Sequence, residues 1–392
     1  MIKKSLLPLA LGGFGIGMTE FVMMGILPDI ATDLSITIPQ AGYLIAAYAM
    51  GVVVGAPTLV ALMARQAPKT VLIWFMMLFT LTNALSALAP NFHVLMVGRF
   101  LAGLPHGAFF GVGAVVASRL ADKGKVAAAV ASMFTGLTLA NVVGVPFGTW
   151  LGHNASWRLV FVLVAVIGVA TVLLLKRWVP HIEAKPSPGF RHDLKIFKRP
   201  GLWLAMLITS IGTGGFFASF SYIAPLLTEM AHFQPGTTPL IMTLVGVGMT
   251  VGVTLGGKLA DKVAPIKSIV ILLAIMATLL VLNGLLAHSK PAILFLAFAT
   301  GANALALGPS VQMLLMEHSR DAEMLGSSLG QSGFNIGNAL GAFLGGIPLT
   351  LGYSYASPQF VGACLALAGV AFALLMLGKH RTFGAVVVMA PH

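Results

Sequence analysis

One carboxylate in this chain stands where a carboxylate is costly. Of the eleven Asp and Glu residues, Asp29, Asp33, Asp122, Glu183, Asp193, Glu229, Asp261, Glu317, Asp321 and Glu323 fall near the ends of apolar runs or between them, whereas Glu20 lies well inside one. An ionised carboxylate in a low-dielectric setting costs several kcal/mol unless partnered, so such a group protonates readily and releases its proton only when hydrated or paired. Glu20 is therefore the candidate proton carrier, with membership of a structural polar cluster as its plainer alternative. Arg99, also inside an apolar run, is its candidate partner. On the helix ends read below, Glu20 lies roughly 11 Å and Arg99 roughly 8 Å from the outer ends of their helices, at similar depth. His106 follows Arg99 by seven residues, on the same helix face and deeper, where it could relay protons, bond a solute or serve as a structural histidine.

Two uncharged polar stripes come next. Thr135, Thr138 and Asn141 are spaced three apart, and Gln331, Asn335 and Asn338 stand at i, i+4 and i+7, so each set shares one helix face. Amides and hydroxyls of this kind suit a neutral hydroxylated ligand, or they bond helix to helix. Phe109, Phe110, Phe216, Phe217, Phe220 and Tyr222 could add rings for stacking or serve as packing.

The elements that must position these residues are membrane spans. The chain has 392 residues, 58% hydrophobic and 9% charged, with a mean hydropathy of +0.95. That much apolar surface has no place in a soluble core, and lipid is the expected solvent. Apolar runs of the length that crosses a hydrocarbon layer recur along the chain. Twelve spans are expected near 5–28, 40–63, 70–89, 94–120, 126–151, 157–178, 201–229, 237–259, 267–287, 291–316, 326–350 and 357–378. The fold expected is an all-α membrane protein, with the lipid bilayer its main partner.

The formal net charge of +12 would suggest nucleic acid in a soluble protein, but its distribution follows the membrane. With the N-terminus inside, 20 of the 23 Lys and Arg fall in cytoplasmic segments, Arg158 and Lys290 fall outside and Arg99 within a span. The positive-inside rule then puts both termini in the cytoplasm, and no nucleic-acid partner is expected. Lys3 and Lys4 before the first apolar run could open a signal peptide, but the run is long enough to span and holds Glu20, so it reads as a retained helix. The single cysteine, Cys364, allows neither a disulfide framework nor a metal cluster, and no cofactor is expected. There is no phosphate loop, zinc motif or nucleophile elbow, which argues against ATP as the energy source and against an enzyme.

Set against itself at an offset of 197 residues, the chain pairs Pro28 with Pro225, Gly51 with Gly248, Gly55 with Gly252, Pro68 with Pro265, Gly111 with Gly308, Asn141 with Asn338, Gly144 with Gly341 and Gly148 with Gly345. An ungapped register near half the length implies six duplicated helices, and an even number makes them parallel repeats. The organisation expected is a six-helix bundle over 1–178, a cytoplasmic linker over 179–200, a second bundle over 201–380 and a tail over 381–392. The positions matching Glu20, Arg99 and His106 are Phe217, Leu296 and Asn303, so proton handling is expected in the first half and solute shaping mainly in the second.

These features resemble the major facilitator superfamily over nearly the whole chain, to about residue 380. The family's loop motif between its second and third helices is matched by Gly257, Leu259, Ala260, Asp261 and Lys262, while the first-half copy has Arg65 but Ala64 in place of the acid. Arg99 followed by Gly103, Gly107 and Gly111 is similar to the family's fourth-helix motif. Gly136, Gly144, Pro146 and Gly148 resemble its antiporter motif. Thr19-Glu20-Phe21 with Gly25 and Pro28, and the run from Pro105 to Gly113, look most like the bacterial arabinose and sugar efflux branch among the drug/proton antiporters. The resemblance implies that the helices bearing Glu20 and Arg99 line a central cavity and that two rigid bundles rock around it. The expectation is a monomeric, proton-coupled exporter of a small neutral solute in a bacterial inner membrane. Export of amphipathic drugs, favoured by the 20 methionines, and a non-transporting membrane sensor are the alternatives.

Overall fold

The computed structural model describes residues 3–63, 66–122, 126–183, 198–319 and 323–388. The first half comprises α1 (Leu7–Gly25), α2 (Leu27–Asp33), α3 (Ile38–Met63), α4 (Pro68–Ala87), α5 (Phe92–Leu120), α6 (Val126–Leu139), a π-turn at Ala140–Gly144, α7 (Val145–Asn154) and α8 (Trp157–Trp178). The second half comprises α9 (Pro200–Phe220), a helical turn at Ile223–Pro225 with a π-turn at Leu226–Met230, α10 (Thr238–Lys262), α11 (Pro265–Leu285), α12 (Lys290–His318), α13 (Glu323–Thr350) and α14 (Ser357–Val388). Eleven spans among the described residues, that of α6 and α7 running unbroken through the π-turn, are long and apolar enough to cross a membrane. The twelfth helix, α13, is 28 residues long and carries Gln331, Ser332, Asn335 and Asn338, which lower its hydropathy without shortening it. The protein is thus an all-α membrane protein.

Local signals set the helix ends. Asn91 caps α5 by accepting from the Val94 amide (3.0 Å), and Ser156 caps α8 by accepting from Arg158 N (3.2 Å). Proline stands in the first turn of α1, α4, α9, α10, α11 and α12, where its missing N–H costs nothing. The expected first span is shorter than read, because α1 stops at Gly25 and the chain restarts as α2 with Pro28 in its first turn. At the other end α14 runs on to Val388, through most of the segment expected to be a tail. Residues 184–197 of the expected linker lie outside the described residues.

The repeat is visible in the packing. In the first half α3 lies along α5, and in the second α10 lies along α12. Gly55 seats against the backbone of Leu104 and its repeat mate Gly252 against the Ala302 carbonyl, each so close that a Cβ would collide with main chain. Only glycine lets helix backbones approach this far.

The halves meet along two seams, α3 against α13 and α10 against the π-turn and α7. The named ring contacts between them lie toward the end of the bundle away from the chain termini: Phe21 to Phe220 (6.2 Å) and Tyr43 to Phe343 (6.0 Å between centroids). Tyr222 closes the same end. Its hydroxyl donates to Ala342 O (2.6 Å) and fits over Gly42 of α3 and Gly346 of α13, where any side chain would strike it. Nearer the termini, the repeat-related Gly111 and Gly308 both look onto open space.

Candidate functional site

Glu20 lies five residues before the end of α1 and is 6% exposed. The glycine-rich first half of α1 brings the helix against α5 and α6: Gly12 faces the Phe109 ring and Gly13 the Met133 carbonyl. That close fit holds the buried polar residues of α1 and α5 together. Arg99, fully buried, does not form the expected ion pair with Glu20. Its Nη1 donates to Thr19 Oγ1 (2.9 Å) and its Nη2 to Thr19 O (3.0 Å). Thr19 Oγ1 in turn donates to Asn83 Oδ1 (2.7 Å), and Asn83 Nδ2 donates to Phe79 O (2.8 Å), anchoring the chain of bonds in α4.

The guanidinium also stacks between rings, 4.3 Å from the Tyr48 centroid and 5.5 Å from that of Phe161. Cation–π contacts strengthen when desolvated, to about 2 kcal/mol, and they partly replace the missing carboxylate. Asn338 of α13 is buried as well, 1% exposed. His106 sits behind this group, its Nδ1 3.2 Å from Tyr48 Oη and its ring 5.4 Å from that of Phe110.

The remaining sequence candidates separate by position. Phe109 and Phe110 are buried as packing, the first against Gly12 and the second stacked on Phe134 at 5.1 Å. Phe217 packs edge-on against Phe216 (5.4 Å). Thr138, part-exposed, donates to Thr135 O, and Asn141 Nδ2 donates to Leu137 O (both 3.0 Å), so these two spend hydrogen bonds on their own helix. The Asn141 carbonyl meets Gly246 of α10 across the seam. On α13, Gln331 is part-exposed, Asn335 Nδ2 donates to Gln331 O (3.0 Å) while its Oδ1 has no hydrogen-bond partner, and Asn338 is buried.

Gly144 faces the Phe14 ring, Pro146 is buried, and Gly148 faces Val22 and Met18, so the fifth-helix motif packs on α1. Gly257 looks onto open space, Lys262 is exposed at the end of α10, and the side chain of Asp261, like all of Arg65, lies outside the described residues. Tyr48, Asn83 and Phe161 were missed by the sequence reading. The signal was there: a tyrosine and an asparagine inside otherwise apolar runs need partners.

In the second half Leu296 and Phe217 replace Arg99 and Glu20, and Asn303, the mate of His106, donates to Leu272 O (2.9 Å). The charged apparatus therefore belongs to one repeat.

Two six-helix repeats meeting over buried polar groups define a membrane transporter fold. The chain belongs to the Major Facilitator Superfamily, whose family profile matches residues 9–320 and 224–386, and it is a multi-pass transporter of that family. It is 38% identical to AraJ of Escherichia coli (strain K12) over 380 residues, 97% of this chain and 96% of that one. It is 41% identical to the inner membrane transport protein YdhP of the same strain, with 97% of each chain covered. A chloramphenicol resistance protein of Streptomyces lividans is 33% identical, with 95% of each covered. Among solved structures it is similar to a D-xylose-proton symporter, with a TM-score of 0.74 at 16% identity over 94% of this chain and 96% of that one, a likeness of fold.

Proposed function

We propose that this transporter is a proton-coupled exporter of a small neutral solute, a sugar such as arabinose or a related compound, in a bacterial inner membrane with both termini in the cytoplasm. Solute leaves as a proton enters, and Glu20 alternates between protonated and ionised forms while the two bundles expose it to one side and then the other. The observation that carries this reading is Glu20 itself, a carboxyl 6% exposed at the depth where the halves meet, beside an arginine that is not tied to it by an ion pair. A charge crossing 100 mV is worth about 2.3 kcal/mol, which is the drive available per proton. The unpartnered Asn335 Oδ1 of α13 offers an acceptor to a hydroxylated ligand.

A second reading, export of amphipathic drugs, is favoured by the 33% identity to a chloramphenicol resistance protein. Both readings use the same carboxyl. Proteoliposomes with an imposed pH gradient, challenged with L-arabinose and with chloramphenicol, separate them by which solute moves protons. Glu20→Gln should abolish proton-coupled movement of either, and uphill export by that variant at the wild-type rate would sink the coupling mechanism.

A further inference from the structure

Tyr48 of α3 is engaged at both its face and its tip. The ring carries the Arg99 guanidinium 4.3 Å from its centroid, and the hydroxyl lies 3.2 Å from His106 Nδ1. Tyr48 and His106 are each 1% exposed. Among the described residues that nitrogen is the one hydrogen-bond neighbour of the hydroxyl, so Tyr48 donates and His106 accepts, with its own proton on Nε2. Arg99 in turn grips Thr19 with Nη1 and Nη2, while its Nε has no hydrogen-bond partner. Besides Thr19, then, the cation rests on the faces of Tyr48 and Phe161. One line of contacts runs from His106 through Tyr48 and Arg99 to Thr19, and ends one residue before Glu20.

The second repeat shows what packing alone requires there. The mates of Thr19, Tyr48, Asn83 and Arg99 are Phe216, Val245, Leu280 and Leu296, all apolar, and the mate of His106, Asn303, bonds Leu272 O. In both repeats a glycine of the neighbouring helix seats against the main chain at this position, Gly103 on Tyr48 O and Gly301 on Val245 O. The helices therefore fit together without a tyrosine side chain. From this we infer that Tyr48 is a positioning residue for proton coupling: moored by His106, its ring seats Arg99, and Arg99 holds α1 in place beside Glu20. His106 serves as the mooring and not as a proton relay. Because α3 also forms the seam with α13, a shift of α3 reaches Arg99 through Tyr48. The inference rests on the proton-carrying reading of Glu20.

The test uses the full chain in proteoliposomes with an imposed pH gradient and L-arabinose or chloramphenicol as the probe. Tyr48→Leu should lower proton-coupled flux about tenfold, for the loss of one desolvated cation–π contact. In an Arg99→Lys background the same change should cost less than about twofold more, because residues acting in series are not additive. His106→Leu should lower flux severalfold, and His106→Gln, whose amide oxygen can accept from Tyr48, should restore it. Should Tyr48→Leu fail to fold, Tyr48→Phe keeps the ring and removes only the tether. Nitrogen-15 NMR of ring-labelled histidine reads that tether without any solute, the His106 signals being those lost in His106→Gln. The wild type should show the Nε2–H form, and Tyr48→Phe a mixture of the two neutral forms. Additive losses for Tyr48 and Arg99, His106→Gln no better than His106→Leu, or a histidine signal indifferent to Tyr48→Phe would each overturn the role of Tyr48. Failure of the wild type to move protons with either probe overturns the exporter reading, and the histidine signal still decides the tether.

Discussion

Arg99 gives both terminal nitrogens of its guanidinium to Thr19, the residue before Glu20, through bonds of 2.9 and 3.0 Å. The arginine thus grips the backbone of α1 beside the acid and leaves the carboxyl free to change state. A direct fork-to-fork ion pair would hold Glu20 ionised and resist every protonation step.

Arg99→Lys should fold but transport poorly. Lysine keeps the charge yet cannot make the two-pronged contact with Thr19 or stack as a plane between Tyr48 and Phe161. The expected outcome in proteoliposomes is at least a tenfold loss of coupled flux with a small fall in melting temperature. Full flux would show the planar contact to be dispensable.

Gly252→Val should be destabilising by more than the usual 1–3 kcal/mol of an overpacked site, about 3 kcal/mol or above, because the new side chain strikes the Ala302 carbonyl and not a movable side chain. Gly257→Val, five residues on and facing open space, is the control and should be close to neutral. Thermal unfolding in detergent distinguishes the two, and equal melting temperatures would contradict the close approach of α10 and α12.

Tyr222→Phe removes the hydroxyl that bonds Ala342 O and fills the gap over Gly42 and Gly346. The loss is about 1 kcal/mol of seam stability. Cysteine accessibility at the end of the bundle away from the termini should rise several-fold in the variant, and unchanged labelling there would argue against Tyr222 as a seal.

Acid should loosen the connection after α2. Arg158, by its hydrogen bond, and then the Trp157 indole hold the Asp33 carboxyl below its ordinary range. A folded value below the unfolded one stabilises the fold fully above the unfolded value, about 3.9, and loses that stabilisation as pH falls through the lower folded value. Because the pair is partly exposed, it contributes no more than about 1 kcal/mol. Melting temperatures measured from pH 6 down to about pH 3 should fall less steeply for Asp33→Asn than for the wild type. Parallel curves would assign the acid sensitivity elsewhere.

The sequence made the helices legible because lipid demands long apolar runs, and their ends came out within a few residues where proline or a capping side chain marks them. The exception at Gly25 followed from reading one apolar run as one helix, although Pro28 within it announced the restart as α2. Glu20 and Arg99 were visible by charge alone. What stayed hidden was partnership: equal depth suggested a direct bond between them, but rotation about each helix axis decides which neighbour a side chain meets, and it turned Arg99 to Thr19. The stripe of Thr138 and Asn141 shows the same limit, since spacing put both on one face without revealing that both bond their own helix.

The π-turn at Ala140–Gly144 makes the two repeats mechanically unlike. One additional residue in a turn advances the helix by about 100°, and the hydrogen-bond ladder there is slack compared with regular α geometry. Its counterpart in α13 is unbroken helix from Glu323 to Thr350. One seam between the halves is consequently backed by a stiff rod and the other by a jointed one, so a displacement that strains both alike will be absorbed chiefly at the joint, beside Gly246.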